Sequence, residues 1–160
     1  MRSIVLLLAS LTLGTAFSRV ANAAEPALIG PDDGPDGRPH IVLDQLVVPV
    51  TVPEHQRVSK VLEKALKHEA HRFQWGAGRA NRIEYRFYLE QLDVSVERGV
   101  LKVRCTALGR LPKGKTARSK IEFGGDAKDP RKVIDHVLLI VARGVLSRLA
   151  DLERDRRSRR

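Results

Sequence analysis

The spacing of apolar side chains changes period several times along this chain, and each change predicts an element. Ile41-Val42-Leu43 and Leu46-Val47-Val48-Pro49-Val50 form a β-branched run bounded by prolines, which predicts a largely buried strand. Thr51 and Glu54 then stand three apart, the spacing of a reciprocal capping box, with Thr51 as N-cap of a helix. Val58, Val61, Leu62, Ala65, Leu66 and Phe73 follow at helical spacing, and Arg57, Lys60, Lys64 and Lys67 occupy the opposite face. The helix should stop before Trp75-Gly76-Ala77-Gly78, where two glycines interrupt it.

The period then falls to two. Ile83, Tyr85, Phe87 and Leu89 alternate with polar residues, and the apolar register resumes one position late at Leu92, Val94 and Val96, which predicts a bulge or twist near Glu90-Gln91. Arg98-Gly99 reads as a tight hairpin turn, after which Leu101, Val103, Cys105 and Ala107 point inward. A second hairpin turns at Pro112-Lys113-Gly114-Lys115 and leads into Ala117, Ser119, Ile121 and Phe123, with Gly124-Gly125 expected to end the meander. Asp129-Pro130 opens another helix, Asp129 as N-cap and Pro130 at its first position. Its broad stripe runs Val133, Ile134, Val137, Leu138, Val141, Val145, Leu149, Leu152, with Leu139 and Leu146 on a second face. Gly144 lies near the sheet-facing side, where a missing side chain permits close approach.

The order is βαβββα. A polar face on the three-strand meander requires both helices on the other side, so the expected fold is an α+β two-layer sandwich: a four-stranded sheet with two helices on one face. Residues 40–152 are long enough to bury a core of their own.

Upstream the pattern has another meaning. Arg2 precedes the apolar run Ile4-Val5-Leu6-Leu7-Leu8-Ala9, which continues weakly to Leu13 and is followed by Ala21-Asn22-Ala23. A basic start, an apolar core of about ten residues and small residues at the −3 and −1 positions are the layout of a secretory signal peptide, with cleavage after Ala23 and export to the periplasm. The core is half of what a spanning helix needs. Residues 24–39 hold four prolines and three glycines and read as a linker; Asp32, Asp33 and Asp36 within it fit a solvated turn and lack the ligands of a calcium loop.

Charge sharpens the functional reading. The chain carries 29 Lys and Arg against 19 Asp and Glu, a net +10, and loss of Arg2 and Arg19 with the leader makes it +8. The Arg-rich tail, residues 153–160, contributes +3 of that. Such a balance attracts polyanions, which for an exported protein means lipid headgroups, lipopolysaccharide or an acidic protein ahead of genomic DNA. Arg110, Lys113, Lys115, Arg118 and Lys120 crowd one hairpin with no acid between them, and backbone amides around Gly114 add donors suited to phosphate. Elsewhere on the polar sheet face Glu84, Glu90 and Glu122 interleave with Arg82, Arg86, Lys102 and Arg104, so cross-strand ion pairs are expected there.

Signs of catalysis are sparse. His68 and His71 share a helix flank but have no third ligand for a metal, and Glu69 between them faces the apolar stripe. Cys105, the one cysteine, falls on an inward strand face and reads as a small hydrophobe. Gly76-Ala77-Gly78-Arg79 lacks the third glycine of a dinucleotide loop, and Pro112 to Lys115 is not a Walker loop. No cofactor motif is present. Tyr88 alone among the aromatics lies on the exposed face, too little for a base-stacking platform.

With a leader followed by a hydrophobic opening strand (Ile41–Val50), a capped helix, a charged meander and an amphipathic closing helix (Val133–Leu152), residues 40–152 resemble a group of small bacterial envelope domains. The group includes the partner subunit of the lipopolysaccharide-assembly barrel, the N-terminal domain of the Tol-associated propeller protein, and the curli-secretion and penicillin-binding-protein-activator lipoproteins. Most are lipid-anchored through a cysteine after the signal, where this chain has Ala24. The resemblance implies a non-catalytic envelope adaptor that engages an anionic component or acidic partner. The alternatives are a small secreted metal-dependent enzyme using the His68/His71 flank and, if the leader is not a signal, a nucleic-acid-binding protein.

Overall fold

The computed structural model describes residues 39–76, 82–112 and 114–159. The expected leader, all of the linker but Pro39, the 77–79 part of the glycine loop, and Lys113 lie outside the described residues. The elements are β1 (His40–Val47), α1 (His55–Ala70), β2 (Arg82–Glu97), β3 (Val100–Arg110), β4 (Thr116–Asp126) and α2 (Pro130–Ser158). They form one sheet in the order β1-β2-β3-β4, in which β1 runs parallel to β2 and the other neighbours are antiparallel. This is the expected βαβββα sandwich.

The period-two segments bury the predicted side chains. Ile83, Tyr85, Phe87 and Leu89 of β2 and Leu101, Val103, Cys105 and Ala107 of β3 line the helix-facing side. Leu89 pairs with Ala107 and Gln91 with Thr106, so Glu90 is the extra residue of a bulge. That insertion moves the inward set from odd to even numbers, which is why Leu92 is buried beyond it. Glu97 pairs with Val100 across a two-residue turn in which Arg98 (φ 51°) and Gly99 (φ 79°) are both left-handed, the type I′ geometry that matches strand twist.

α2 lies over β3 and β4, and α1 packs against β1 and α2. Close approach at two points explains the glycines there. A methyl group on Gly144 would stand 2.9 Å from the Ser119 hydroxyl, and one on Gly109 would stand 2.4 Å from Val145 Cγ1. Asp129 caps α2 by accepting from the Lys132 amide, with Pro130 first in the helix. The helices meet over a buried carboxylate: Glu69, 1% exposed, accepts from Arg143 at 2.9 and 3.2 Å and from Arg72 at 3.0 Å. Trp75 stacks on Tyr85 with centroids 6.2 Å apart and donates Nε1–H to the Ala70 carbonyl.

Three local expectations are corrected. β1 is an edge strand, with only Ile41 buried, because among the described residues one side of it has no neighbour. α1 starts at His55, not after Thr51: Glu54, at φ 51°, is the N-cap residue and makes no side-chain cap. Glu54 instead accepts from Arg57 and Arg131, so its charge ties the starts of the two helices together. The Gly124-Gly125 pair does not end the meander, since both residues still pair with β3, and Gly125 leaves room for Val133 of α2.

The arginine-rich tail continues α2, which runs on through Ser158. Glu153 is buried and accepts from Arg156 and Arg157, and the Arg157 side chain packs over Gly76.

Candidate functional site

The β3–β4 hairpin closes with the Leu111 amide donating to the Lys115 carbonyl at 2.8 Å and the Gly114 amide donating to the Leu111 carbonyl at 3.3 Å. Gly114 has φ 85°, a conformation that excludes most side chains and sets the turn. Five cations surround this turn in sequence, and strand alternation separates them. Arg110, Arg118 and Lys120 stand on the outer, helix-free face. The Lys115 ammonium turns to the other side and donates to the Leu152 carbonyl of α2 at 3.2 Å. Lys113 is outside the described residues.

The outer-face cations differ in what they meet. Arg118 is joined to Glu90 at 2.9 Å. Arg110 and Lys120 are exposed and have no acidic partner among the described residues. Their pairing partners in the sheet are Arg86 and Thr116 for Arg110, Thr106 for Lys120. Arg86 opposite Arg110 is a like-charge pair, unfavourable unless one charge is met. Asp44 meets it, at 2.7 Å from Arg86 Nε, and this contact raises the Arg86 pKa above the ordinary guanidinium value.

Beside this pair lies a hollow of about 340 Å³ lined by Asp44, Glu84, Arg86, Arg110, Pro112 and Gly114. It brings together the first hairpin cation and residues from β1 and β2 that the sequence reading did not connect with it. One signal was available: Asp44 interrupts an otherwise apolar run and coincides with a register shift between Leu43 and Gln45. Which residue it would neutralise depended on strand order.

The rest of the outer face is a lattice of ion pairs. Arg104 holds Glu122 through two N–H groups at 2.9 and 3.1 Å, Arg82 holds Glu84 at 3.0 Å, and Lys102 holds Glu97. Here the interleaved charges neutralise one another, as their alternation implies. Exposed pairs of this kind add little stability, because solvent screens them. Their effect is to cancel charge, leaving Arg110 and Lys120 as outer-face cations with no acidic partner among the described residues.

The other candidate residues do not assemble into a reactive site. His68 and His71 are both exposed, and the carboxylate between them is taken by Arg143 and Arg72. Among the described residues no group of three His, Cys, Asp or Glu could hold a metal ion. Cys105 is fully buried, and loss of solvation pushes its thiol pKa up to about 12. Among the described residues no helix is long and apolar enough to cross a membrane.

No protein-family model matches the chain, and a search of curated proteins found no match. Solved structures similar to it include the following two. One is a PelC dodecamer from Paraburkholderia phytofirmans, at 15% identity, covering 71% of this chain and 87% of that one with a TM-score of 0.38. The other is a candidate lipoprotein from Caulobacter crescentus CB15, at 13% identity, covering 74% of this chain and 92% of that one with a TM-score of 0.35.

Proposed function

We propose that this chain is an exported, non-catalytic binding protein of the cell envelope. It engages an anionic component, a lipid headgroup, lipopolysaccharide or an acidic protein, through the outer face at the β3–β4 hairpin end. The observation that carries this reading is the contrast within that face: a neutralised lattice over most of it, and Arg110 at the hairpin end and Lys120 along β4 exposed with no acidic partner among the described residues. Arg110 at the rim of the hollow supplies a planar donor fork, and Gly114 keeps the turn free of a side chain that would block approach. Export supports an envelope ligand, and it rests on the leader alone.

The test is a salt titration of binding to anionic vesicles, to lipopolysaccharide and to an acidic polypeptide, with zwitterionic vesicles as control. Charge-driven binding weakens steeply as salt shortens the screening length. Arg110→Ser with Lys120→Ser, and Lys113→Ser added to them, should weaken binding progressively while the melting temperature holds. Arg118→Ser should matter less, because Glu90 already occupies it. Binding that is absent at low salt, or unchanged at high salt, refutes the mechanism. The three ligand arms identify which anion is preferred.

A further inference from the structure

The sheet has three stretches whose peptide groups face no neighbouring strand: the outer sides of β1 and β4, and the second half of β2. β1 pairs with β2 only from Arg82 to Tyr88, whereas β2 continues to Glu97. Among the described residues, 91–97 therefore have β3 on one side and no strand on the other. Which peptide groups point to the open side follows from the hairpin. Leu111 bonds to Lys115, so odd-numbered residues of β3 bond to β4 and even-numbered ones to β2. Gln91, Asp93, Ser95 and Glu97 pair with those even-numbered residues. The N–H and C=O groups of Leu92, Val94 and Val96 thus face outward.

Open edges invite pairing with another chain, and proteins usually blunt them with Lys, Pro, bulges or a covering side chain. Two of the three edges here are blunted. On β4 the Arg148 guanidinium donates to the Arg118 carbonyl at 2.8 Å, and Lys120 stands along the strand. β1 is irregular at Asp44 and runs into Pro49. The 91–97 stretch has no Pro, no Lys and no bulge of its own, and it exposes Val94 (38%) and Val96 (60%) on the helix-facing side.

We propose that two copies of this chain pair antiparallel through residues 90–98 of β2 about a two-fold axis at Val94, joining two four-stranded sheets into one of eight strands. The sequence of the edge favours a second copy because it is complementary to itself in one register. With the axis at Val94, that residue meets its own copy, Leu92 meets Val96, Asp93 meets Ser95, Gln91 meets Glu97, and Glu90 meets Arg98. No like charges oppose in this register. Moving the axis to Ser95 sets Asp93 against Glu97 twice, and moving it to Asp93 sets that carboxylate against itself, both unfavourable. Axes between residues set apolar side chains opposite polar ones and misalign the outward peptide groups. A two-fold pairing also closes on itself, so it stops at the dimer.

Sedimentation velocity of the full mature chain over a concentration series should show a monomer–dimer equilibrium. Val94→Lys should weaken the dimer about tenfold or more, since the charge appears twice at the axis, while leaving the monomer's melting temperature unchanged. Under mild oxidation Val94→Cys should form an intermolecular disulfide, because opposed antiparallel residues lie about 5.5 Å apart, within disulfide reach. Val96→Cys should not, since it faces Leu92 of the other copy. A chain that stays monomeric at the highest attainable concentration overturns the proposal. So does a dimer indifferent to Val94→Lys, or equal cross-linking at positions 94 and 96.

Discussion

Gly109 offers a direct test of how α2 is seated on the sheet. Its neighbours are the fully buried side chains of Val145 and Leu149, and a methyl group there would stand 2.4 Å from Val145 Cγ1 and 2.7 Å from Leu149 Cδ1. Neither side chain has a clear way out. Val145 is β-branched within a helix, where one rotamer dominates, and both residues are packed on all sides. Gly109→Ala should therefore destabilise the domain by about 1–3 kcal/mol, the range for overpacking a filled core. In an unobstructed site the same change would stabilise by about 0.4–1 kcal/mol through reduced unfolded-chain entropy, so even the sign is informative. Gly124→Ala supplies that comparison. Its nearest contact would be Val100 Cγ1 at an ordinary 3.6 Å, so this variant should be neutral or slightly stabilised. Urea unfolding followed by circular dichroism measures both, and the Gly109→Ala melting temperature should drop by roughly 3–5 °C per kcal/mol lost in a domain of this size. Adding Val145→Ala should recover part of the loss, because it vacates space for the new methyl, although Leu149 still obstructs it. A Gly109→Ala protein as stable as the parent, or a double variant whose losses simply add, would show that α2 does not press on β3 as described.

Two further predictions follow from buried groups. Hydrogen bonds from Arg143 and Arg72 hold the Glu69 carboxyl below its ordinary value of 4.5; burial alone raises Glu153, but Arg156 and Arg157 outweigh it and hold it low as well. A carboxyl with a lowered folded pKa contributes stability that is present above its unfolded value and lost as pH falls through the folded one. The urea midpoint should therefore be level near neutral pH and fall below about 4.5, and Glu69→Gln should flatten that fall; a profile flat through pH 3 would contradict it. Cys105, with its thiol pushed up to about 12 and no exposed surface, should be inert to a thiol-reactive dye at pH 8 in the folded protein and react once urea unfolds it. Prompt labelling in the native state would place that strand face in solvent.

The candidate site was legible in its charges and not in its geometry. The acid-free stretch from Arg110 to Lys120 is visible on reading, but its neighbours along the chain are not neighbours on a surface. Strand alternation turns Lys115 toward α2, the bulge at Glu90 supplies Arg118 with a partner, and Asp44 reaches Arg86 from a strand some forty residues away. Pairing of this kind depends on strand order and register, which no local window contains. The same reason accounts for the capping error at Thr51. Thr51 and Glu54 have the spacing of a cap, yet Glu54 is drawn to Arg131 of the distant α2, and the helix begins later.

Period and punctuation determined the element order, the inward faces, the bulge near Glu90, the turn at Arg98-Gly99 and the start of α2 at Asp129. Each of these is a contest between residues within a few positions of one another, so the local sequence holds both sides of it. Tertiary structure alone decided that β1 lies at an edge, parallel to β2, that Glu69 is the buried tie between two helices, and that the 91–97 stretch of β2 outruns its neighbour. An edge, a buried ion pair and a hollow are properties of elements meeting, and the meeting is set by packing across the whole chain.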